Sequence, residues 1–263
     1  MLPAYFVDTL SSLKEKYNVA CKVLVLVRSK NRAVERLAPA LAKGDVKVIE
    51  ADVADCERIG DKIDMIVHGA SPASPSHFLR IPLDTIVANT SATEKLLRLG
   101  QRNNVEAFLF MSTAEVYGAP HTGPDGTIDE NGYGPLDPVH PRSVYAESKR
   151  LGEALCAAAH REWSLNTQIV RPFHTYGPGL RLDDGRIFAH LANAVVHKQP
   201  LTLDGDGMAT RSFCYAADAT EGFLRVMLAG DGQPYNIGNP GEAYTHARTG
   251  NPAVTDVPRQ DHV

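Results

Sequence analysis

The chain has 263 residues, of which 43% are hydrophobic and 22% are charged, and its formal net charge is −4 at pH 7. This composition is typical of a globular protein, and the small negative charge argues against nucleic acid or an anionic membrane surface as a partner. No apolar run approaches the roughly 18 residues that cross a bilayer, and the N-terminus lacks the basic and apolar stretches of a signal peptide.

Helical and strand-like stretches alternate along the first two thirds of the chain. Apolar residues recur at helical spacing over 5–17, 31–42, 85–102, 144–161 and 187–197. Short apolar runs, most of them rich in β-branched residues, predict strands over 23–27, 46–49, 65–67, 108–111 and 167–170. This alternation predicts an α/β fold with a doubly wound parallel sheet, in which ligands bind beyond the carboxyl ends of the strands.

The composition changes after Pro178, where glycine and aspartate become frequent, as in the segment 203–207. The stretch from residue 241 onward is polar and has little periodicity. We therefore expect a main domain over 1–178, a smaller lobe over 179–240 that is interleaved with it, and an irregular tail over 241–263.

Tyr145 and Lys149 form a Y-x-x-x-K pair at the start of a predicted helix, so they share one helix face. A tyrosine hydroxyl titrates near pH 10 in water, and a neighbouring ammonium group is expected to lower that pKa. Such a tyrosine can exchange a proton with a sugar hydroxyl while hydride moves to or from a nicotinamide. Taken alone, the pair is weak evidence, because an exposed helix pair with the same spacing arises often by chance.

Other segments strengthen this interpretation, because they also follow predicted strands. Thr113 lies just beyond strand 108–111, 32 residues before Tyr145, and its hydroxyl would share the substrate's hydrogen bond. Small residues in the segment 67–71, including Ala70 and Ser71, allow a backbone to approach a cofactor. The remaining residues of this kind are Asp52 and Val53, which could meet an adenine ring, and Pro172.

In this order, the motifs resemble those of the extended short-chain dehydrogenase/reductases, and specifically of the NAD-dependent epimerase/dehydratase family of nucleotide-sugar enzymes. The resemblance covers about residues 1–240 and implies a Rossmann-like NAD(P)-binding domain over 1–178 and a substrate-binding lobe over 179–240. It assigns catalysis to Thr113, Tyr145 and Lys149. The positions that match cofactor contacts are Asp52, Val53, Ala70, Asn89, Tyr145, Lys149 and Pro172.

One branch of that family is the most similar, namely the UDP-glucuronate decarboxylases and their relatives. The segments 182–186 and 209–215 carry this resemblance, which implies that Arg211 holds the nucleotide diphosphate and that Arg186 is a lobe-positioning or substrate contact. Arginine suits this task because its planar fork donates hydrogen bonds in pairs. His174 replaces the asparagine common at its position and either contacts the ligand or is a packed, hydrogen-bonded histidine. The resemblance further implies NAD as cofactor, a nucleotide sugar as substrate and a homodimer.

Two positions bear on the reaction type. The 4,6-dehydratases carry an acidic pair where this chain has Ala114 and Glu115, and a methyl group cannot donate a proton, so dehydration by that route is disfavoured. Glu115 is either a base or polar clamp near the sugar or a structural carboxylate. We therefore expect oxidation at the sugar C4, followed by decarboxylation or epimerisation.

The glycine-rich turn of the family is not found before the first predicted helix, which begins close to Met1. We therefore expect a sheet that lacks its first strand, in a chain truncated at the N-terminus and also at the C-terminus. A non-catalytic relic or dinucleotide-binding protein is the alternative, and a reductase of small carbonyl compounds is another. Arg28 follows strand 23–27 in place of an acidic residue, so NADP is an alternative to NAD.

Metal chemistry is not predicted. The ten histidines form no H-x-x-x-H or H-E-x-x-H pair, and His190 and His197 are seven residues apart on one predicted helix. The four cysteines are widely separated and form no C-x-x-C pair, which predicts reduced thiols and a cytoplasmic location.

Overall fold

The computed structural model describes residues 1–44, 46–60, 62–123, 126–201, 210–241 and 243–245. Its helices are α1 (Leu2–Tyr17), α2 (Lys30–Arg36), α3 (Ala38–Ala42), α4 (Pro75–Phe78), α5 (Pro82–Asn89), α6 (Ser91–Asn103), α7 (Ser143–Trp163), α8 (Ile187–His197) and α9 (Ala216–Ala229). Its strands are β1 (Val23–Val27), β2 (Val46–Glu50), β3 (Met65–His68), β4 (Ala107–Met111), β5 (Thr167–Pro172), β6 (His174–Tyr176), β7 (Thr210–Tyr215), β8 (Pro234–Ile237) and β9 (Ala243–Thr245). Short 3₁₀ helices cover Val53–Arg58 and Ala114–Tyr117.

The central sheet contains four parallel strands in the order β3-β4-β5-β8. All five residues of β4 are buried, because helices cover both faces of a parallel sheet and leave no polar side. On one face, residues of α6 and α7 pack around Phe108 and Phe110, and on the other, α1 and α9 pack around Leu109 and Val170. The predicted doubly wound α/β fold is thus confirmed.

A parallel pair of strands, β1 and β2, stands beside this sheet. Among the described residues, β1–β2 and the central strands form separate hydrogen-bonded sheets. The apolar run of β1 is only half-buried along its whole length, although such a run suits a strand covered on all sides. Val7 of α1 packs against this pair, while Phe6 of α1 packs against the central sheet. The parallel strands are therefore interrupted between β1 and β3, as expected for a sheet that lacks one strand.

Two predicted helices are broken in the structure. The helix expected over 31–42 ends at Arg36 and restarts at Ala38, because Pro39 has no N–H to donate and fits only the first turn of a helix. The helix expected over 85–102 breaks at Thr90, whose backbone angles (φ −120°, ψ −81°) are not helical. The break separates α5, which ends at Asn89, from α6.

A separate three-stranded sheet has the order β6-β7-β9, in which β6 is parallel and β9 antiparallel to β7. The chain returns to the central sheet through α9 and β8, and α9 was not predicted from the sequence. The division at residue 178 stays a prediction. Most of the tail predicted over 241–263 lies outside the described residues, although 243–245 form β9. In the described ranges, no helix is both long and apolar enough to span a bilayer.

Candidate active site

The four predicted catalytic residues lie together at the carboxyl end of β4. Thr113 caps the 3₁₀ helix Ala114–Tyr117, and its Oγ1 accepts a hydrogen bond of 3.2 Å from the Glu115 backbone N–H. Tyr145 lies in the first turn of α7, close enough to Thr113 for the Thr113 side chain to affect the pKa of the Tyr145 hydroxyl. Lys149 follows one turn later, and its side chain is buried.

Tyr145 is enclosed on one side by Phe78 of α4. The two rings stack in parallel, with centroids 5.3 Å apart and an interplanar angle of 2°, and both residues are buried. This burial raises the pKa of Tyr145 well above its ordinary value, and the nearby Glu115 charge raises it further. The Thr113 side chain and the Arg186 charge oppose this rise in pKa without cancelling it.

Lys149 does not act on Tyr145 as the sequence predicted. Its Nζ donates a 2.6 Å hydrogen bond to the Met111 carbonyl and lies 4.6 Å from the centre of the Phe110 ring and 6.0 Å from that of Tyr145. Burial lowers the pKa of Lys149 to about 7, so the group is poised between its charged and neutral forms near neutral pH. The expectation that Lys149 lowers the pKa of Tyr145 is therefore wrong for this state of the protein.

Glu115 lies at the mouth of the site and reaches solvent with part of its side chain. Its carboxyl group is nevertheless partly shielded from water, which raises its pKa, while the positive charges of Arg142 and Arg186 hold the shift down. A carboxyl group in this setting can hold a proton nearer to neutral pH than one on the surface. This favours the interpretation of Glu115 as an acid–base group.

A second group of buried polar atoms lies next to Tyr145. Asn89 donates from Nδ2 to Ser148 Oγ (3.0 Å), and Ser148 donates in turn to the Tyr145 carbonyl (2.9 Å). Asn89 Oδ1 and Ser71 Oγ are buried and have no hydrogen-bond partner in the structure. Buried polar groups normally have partners, so these atoms fit a site that receives hydroxyl or amide groups of a ligand. Asn89 and Ser71 are both predicted cofactor contacts.

The other predicted cofactor contacts follow the strands as expected. Asp52 is the N-cap of the 3₁₀ helix Val53–Arg58, where its Oδ1 accepts from the Ala54 N–H at 2.9 Å. Gly69, at the end of β3, approaches α1 so closely that a Cβ would lie 2.8 Å from Pro3 Cγ. Arg28 and Ala70 are exposed beyond β1 and β3, Val53 packs on the core below α6, and Pro172 ends β5.

Arg186, a predicted substrate contact, is held at the edge of the site by a neighbour. Its guanidinium forms a two-point ion pair with Asp184, and Ser74 Oγ donates to the Asp184 carbonyl at 2.6 Å. This places the positive charge of Arg186 where it acts on both Tyr145 and Glu115. The other two predicted substrate contacts, His174 and Arg211, lie on the neighbouring strands β6 and β7. Elsewhere in the described ranges, no three histidine, cysteine, aspartate or glutamate side chains cluster as metal ligands.

Two residues near the site were missed as candidates in the sequence. Phe78 lies in the segment 75–78, between predicted elements, and no apolar period marked it as the partner of Tyr145. Arg171 precedes Pro172 in a strand that reads as buried, and a fully buried arginine there implies a carboxylate partner elsewhere in the chain. That signal was present, but the partner was not identifiable from spacing.

A family model described as "NAD dependent epimerase/dehydratase family" matches residues 8–238. UDP-glucuronic acid decarboxylase 1 of Arabidopsis thaliana is 39% identical over 208 residues, which cover 79% of this chain and 46% of that protein. The protein of the same name from Xenopus tropicalis is 35% identical over 181 residues, which cover 69% of this chain and 42% of that protein. The chain thus matches about half of the length of these curated relatives.

Solved structures show the same fold. DesIV, a dTDP-glucose 4,6-dehydratase from Streptomyces venezuelae with NAD and TYD bound, superposes with a TM-score of 0.83 at 26% identity and covers 99% of this chain and 83% of its own. A UDP-glucose 4-epimerase from Thermotoga maritima superposes with a TM-score of 0.81 at 21% identity, covering 98% of this chain and 84% of its own. The interruption between β1 and β3 therefore leaves the overall fold unchanged.

Proposed function

The chain belongs to the NAD-dependent epimerase/dehydratase family, and we propose that it catalyses the NAD(P)-dependent modification of a nucleotide sugar. The reaction would oxidise the sugar at C4, decarboxylate or epimerise it, and reduce it again. The observation that carries this proposal is the grouping of Thr113, Glu115 and Tyr145 around one small volume, with Lys149 behind it.

In this proposal, each catalytic side chain has a separate task. Bound NAD would supply the hydride acceptor for the oxidation. Tyr145, in its phenolate form, takes the proton of the C4 hydroxyl through Oη, and Thr113, whose side chain lies beside Tyr145, holds that hydroxyl in line. Glu115 is the proposed acid–base group at the sugar, and partial shielding from water raises the pKa of its carboxyl group. Lys149 supplies a donor that can turn from the Met111 carbonyl to a ligand hydroxyl.

The cofactor would be held along the carboxyl ends of β1 to β5. Asn89 Oδ1 and Ser71 Oγ are supported as contacts by their lack of partners. Arg28, Asp52, Val53, Ala70 and Pro172 are proposed contacts on position alone. We propose NAD rather than NADP, since the fold relatives named above include an NAD-bound enzyme, although Arg28 would suit a 2′-phosphate.

We propose a uronic acid nucleotide as the substrate, because the curated relatives are named UDP-glucuronic acid decarboxylases. A ketone at C4 is β to the C6 carboxylate, so oxidation there weakens the bond that releases CO₂. Arg186 would attract this acidic sugar, and Arg211 and His174 would bind the nucleotide from the lobe. Ala114 provides no acid for dehydration.

The test is turnover of UDP-glucuronate by the purified chain with NAD, followed by NMR and mass spectrometry. A UDP-pentose with CO₂ indicates decarboxylation, and a UDP-uronate with inverted C4 indicates epimerisation. Tyr145→Phe is the matched control, and it should abolish either product while preserving NAD binding. If NAD binds by calorimetry but no UDP- or dTDP-sugar is converted, the proposed reaction is wrong.

The second candidate is a dinucleotide-binding protein without turnover. It is favoured by one observation: Lys149 Nζ is bonded to the Met111 carbonyl and lies 6.0 Å from the centre of the Tyr145 ring. The same experiments test this candidate, since it predicts that NAD binds in calorimetry and that no nucleotide sugar is converted. Nothing in the geometry favours a small-carbonyl reductase over these two.

We also propose a homodimer formed through α5 and α7, which pack against each other. Leu83 and Val87 on α5 and Leu151 on α7 are 74%, 43% and 51% exposed, which is costly for aliphatic side chains in a monomer. In sedimentation experiments Leu151→Glu should shift the mass to a monomer, whereas Leu228→Glu, on the exposed side of α9, should not. The cytoplasmic location stays a prediction.

A further inference from the structure

Arg171, in β5, is fully buried and uses all of its hydrogen-bond donors. A guanidinium carries five N–H groups in a fixed plane. Nε and Nη2 donate to the two carboxylate oxygens of Glu153 at 2.9 and 2.6 Å. Nη1 donates to the Tyr117 hydroxyl at 2.9 Å and to the Glu130 carbonyl at 2.8 Å, and Nη2 also donates to the Tyr133 hydroxyl. No N–H group of Arg171 is left to bind a ligand, so its role depends on the protein segments that it connects.

The partners of Arg171 belong to the elements that carry the catalytic residues. Glu153 lies on α7, one turn beyond Lys149. Glu153 also accepts a hydrogen bond from Ser112 Oγ, directly before Thr113 in the chain. Tyr117 is the last residue of the 3₁₀ helix that contains Glu115. One buried side chain therefore connects the helix of Tyr145 to the segment of Thr113 and Glu115.

The same guanidinium also holds the long connection between these two elements. Glu130 and Tyr133 lie in the connection that runs from Gly118 to Arg142, and Arg171 bonds both. Asn236 of β8 also binds this connection. Its Nδ2 donates to the Ile128 carbonyl at 2.9 Å, and its backbone N–H donates to the Glu130 carboxylate at 2.9 Å. From the other side, Arg150 of α7 donates to the Gly134 carbonyl at 2.9 Å.

Stability alone does not explain this arrangement. Burying two charges costs several kcal/mol in desolvation, and replacing such a pair by apolar residues is often neutral or favourable. The carboxylate of Glu153 outweighs the burial of Arg171 and raises the pKa of Arg171, so the charge is retained. Unlike an apolar pair, a planar fork fixes the relative position of every group that it bonds.

We propose that Arg171 is a positioning residue of the active site, which sets the geometry between the Thr113–Tyr117 segment and the α7 helix that bears Tyr145. It acts through Glu153 and Tyr117 and touches neither substrate nor cofactor. This inference rests on the proposed function for its kinetic consequence. The structural consequence, that residues 113–123 and 126–142 are held in place, does not depend on that function.

The first test compares Arg171→Lys with Gln168→Leu. Lysine keeps the charge opposite Glu153 but loses the fork. Gln168 is a matched control on the same strand, since it is also buried and bonds Gly230 O (3.1 Å) and Gly232 N (3.2 Å) at the opposite end of β5. We expect Arg171→Lys to lower kcat about 100-fold, with little change in the KM for NAD, because displacements near 1 Å have that effect. Gln168→Leu should lower the Tm and leave kcat unchanged.

The second test does not depend on activity. In hydrogen exchange followed by mass spectrometry, Arg171→Lys should accelerate exchange roughly tenfold in 113–123 and 126–142, and Gln168→Leu should leave these segments unchanged. If Arg171→Lys does not fold, Tyr133→Phe removes a single bond from the exposed side of the network and should give a smaller change in the same direction. Unchanged exchange in 113–142 for the folded variant overturns the inference, whether or not the chain is an enzyme. Unchanged kcat in an active enzyme overturns it as well.

Discussion

Gly152 lies where α7 comes closest to α5 and β4, and replacing it by alanine is a direct test of how these elements are placed. A Cβ at this position would lie 2.3 Å from Phe110 Cζ and 2.8 Å from the Asn89 carbonyl oxygen. Phe110 is fully buried in β4 and cannot swing aside, and the Asn89 oxygen belongs to the backbone. The helix itself must therefore move outward.

Two effects of opposite sign decide the stability of Gly152→Ala. Alanine is favoured over glycine inside a helix by about 1 kcal/mol. Overpacking a core costs typically ~1–3 kcal/mol and more where the backbone must shift. Since two contacts fall below 3.0 Å, we expect the cost to prevail, with a net loss of about 2 kcal/mol and a fall in Tm of about 4–8 °C. Because α7 carries Tyr145 and Lys149, the outward shift should also weaken NAD binding.

Gly100→Ala is the matched control, since Gly100 is also a buried helical glycine. There a Cβ would meet Val105 Cγ2 at 3.1 Å and Ile66 Cδ1 at 3.6 Å, which small side-chain adjustments accommodate. Urea unfolding of both variants at pH 7.5 measures the difference. The reasoning fails if Gly152→Ala is as stable as the wild type, or if both variants lose the same stability.

Further outcomes follow from the residues around Tyr145. Burial lowers the pKa of Lys149 to about 7, so between pH 7 and 10.5 the unfolded chain binds a proton there that the folded chain lacks. The free energy of unfolding of the wild type should therefore rise relative to Lys149→Met by up to ~1.4 kcal/mol per pH unit from pH 7 to 9, and a flat difference contradicts this shift. Phe78→Ala should lower the free energy of unfolding by about 3–5 kcal/mol, because it removes the ring that stacks on Tyr145. It should also expose Tyr145 to nitration by tetranitromethane, which peptide mass spectrometry detects. The control Phe223→Ala breaks the distant stack with Phe6 and should leave Tyr145 protected. Asn89→Ala should weaken NAD binding about tenfold in calorimetry, because a buried hydrogen bond contributes ~1–1.5 kcal/mol, and unchanged affinity would remove Asn89 from the proposed site.

Local patterns were sufficient to predict five of the strands, but not β8 of the central sheet or the strands β6, β7 and β9. The five strands from β1 to β5 were predicted within about two residues of their observed bounds, because continuous apolar runs identify strands buried on both faces. The helix α9 was missed although Ala219, Phe223 and Met227 recur at four-residue spacing on its buried face. That signal was readable. The break at Thr90 could not be predicted, because threonine also occurs within helices. Only the three-dimensional structure marks the position of the break, where the Asn89 carbonyl approaches Gly152.

The same distinction applies to the candidate site, where backbone positions were predictable and contacts between distant segments were not. The residues that we propose as catalytic lie close together as predicted, since strand ends and a four-residue helical spacing fix where their backbones lie. Their chemical environment depends on groups that are distant in the chain. Phe78, which stacks on Tyr145, is 67 residues away, and Arg171 reaches Tyr117 across 54 residues. Periodicity carries no information about such contacts, because many chain paths between the elements are compatible with the same pattern.

The pKa values of Tyr145 and Lys149 give one consistent account of this pocket. Burial raises the first and lowers the second, so both shifts favour a neutral phenol beside a neutral or half-charged amine. A phenolate–ammonium pair would cost more, because each charge must leave water and the Lys149 Nζ is engaged with the Met111 carbonyl. A positive charge brought close to Tyr145 lowers its pKa and also keeps Lys149 neutral. The described structure therefore favours the proton on Tyr145, and the proton transfer that we propose for Tyr145 needs a further positive charge beside it.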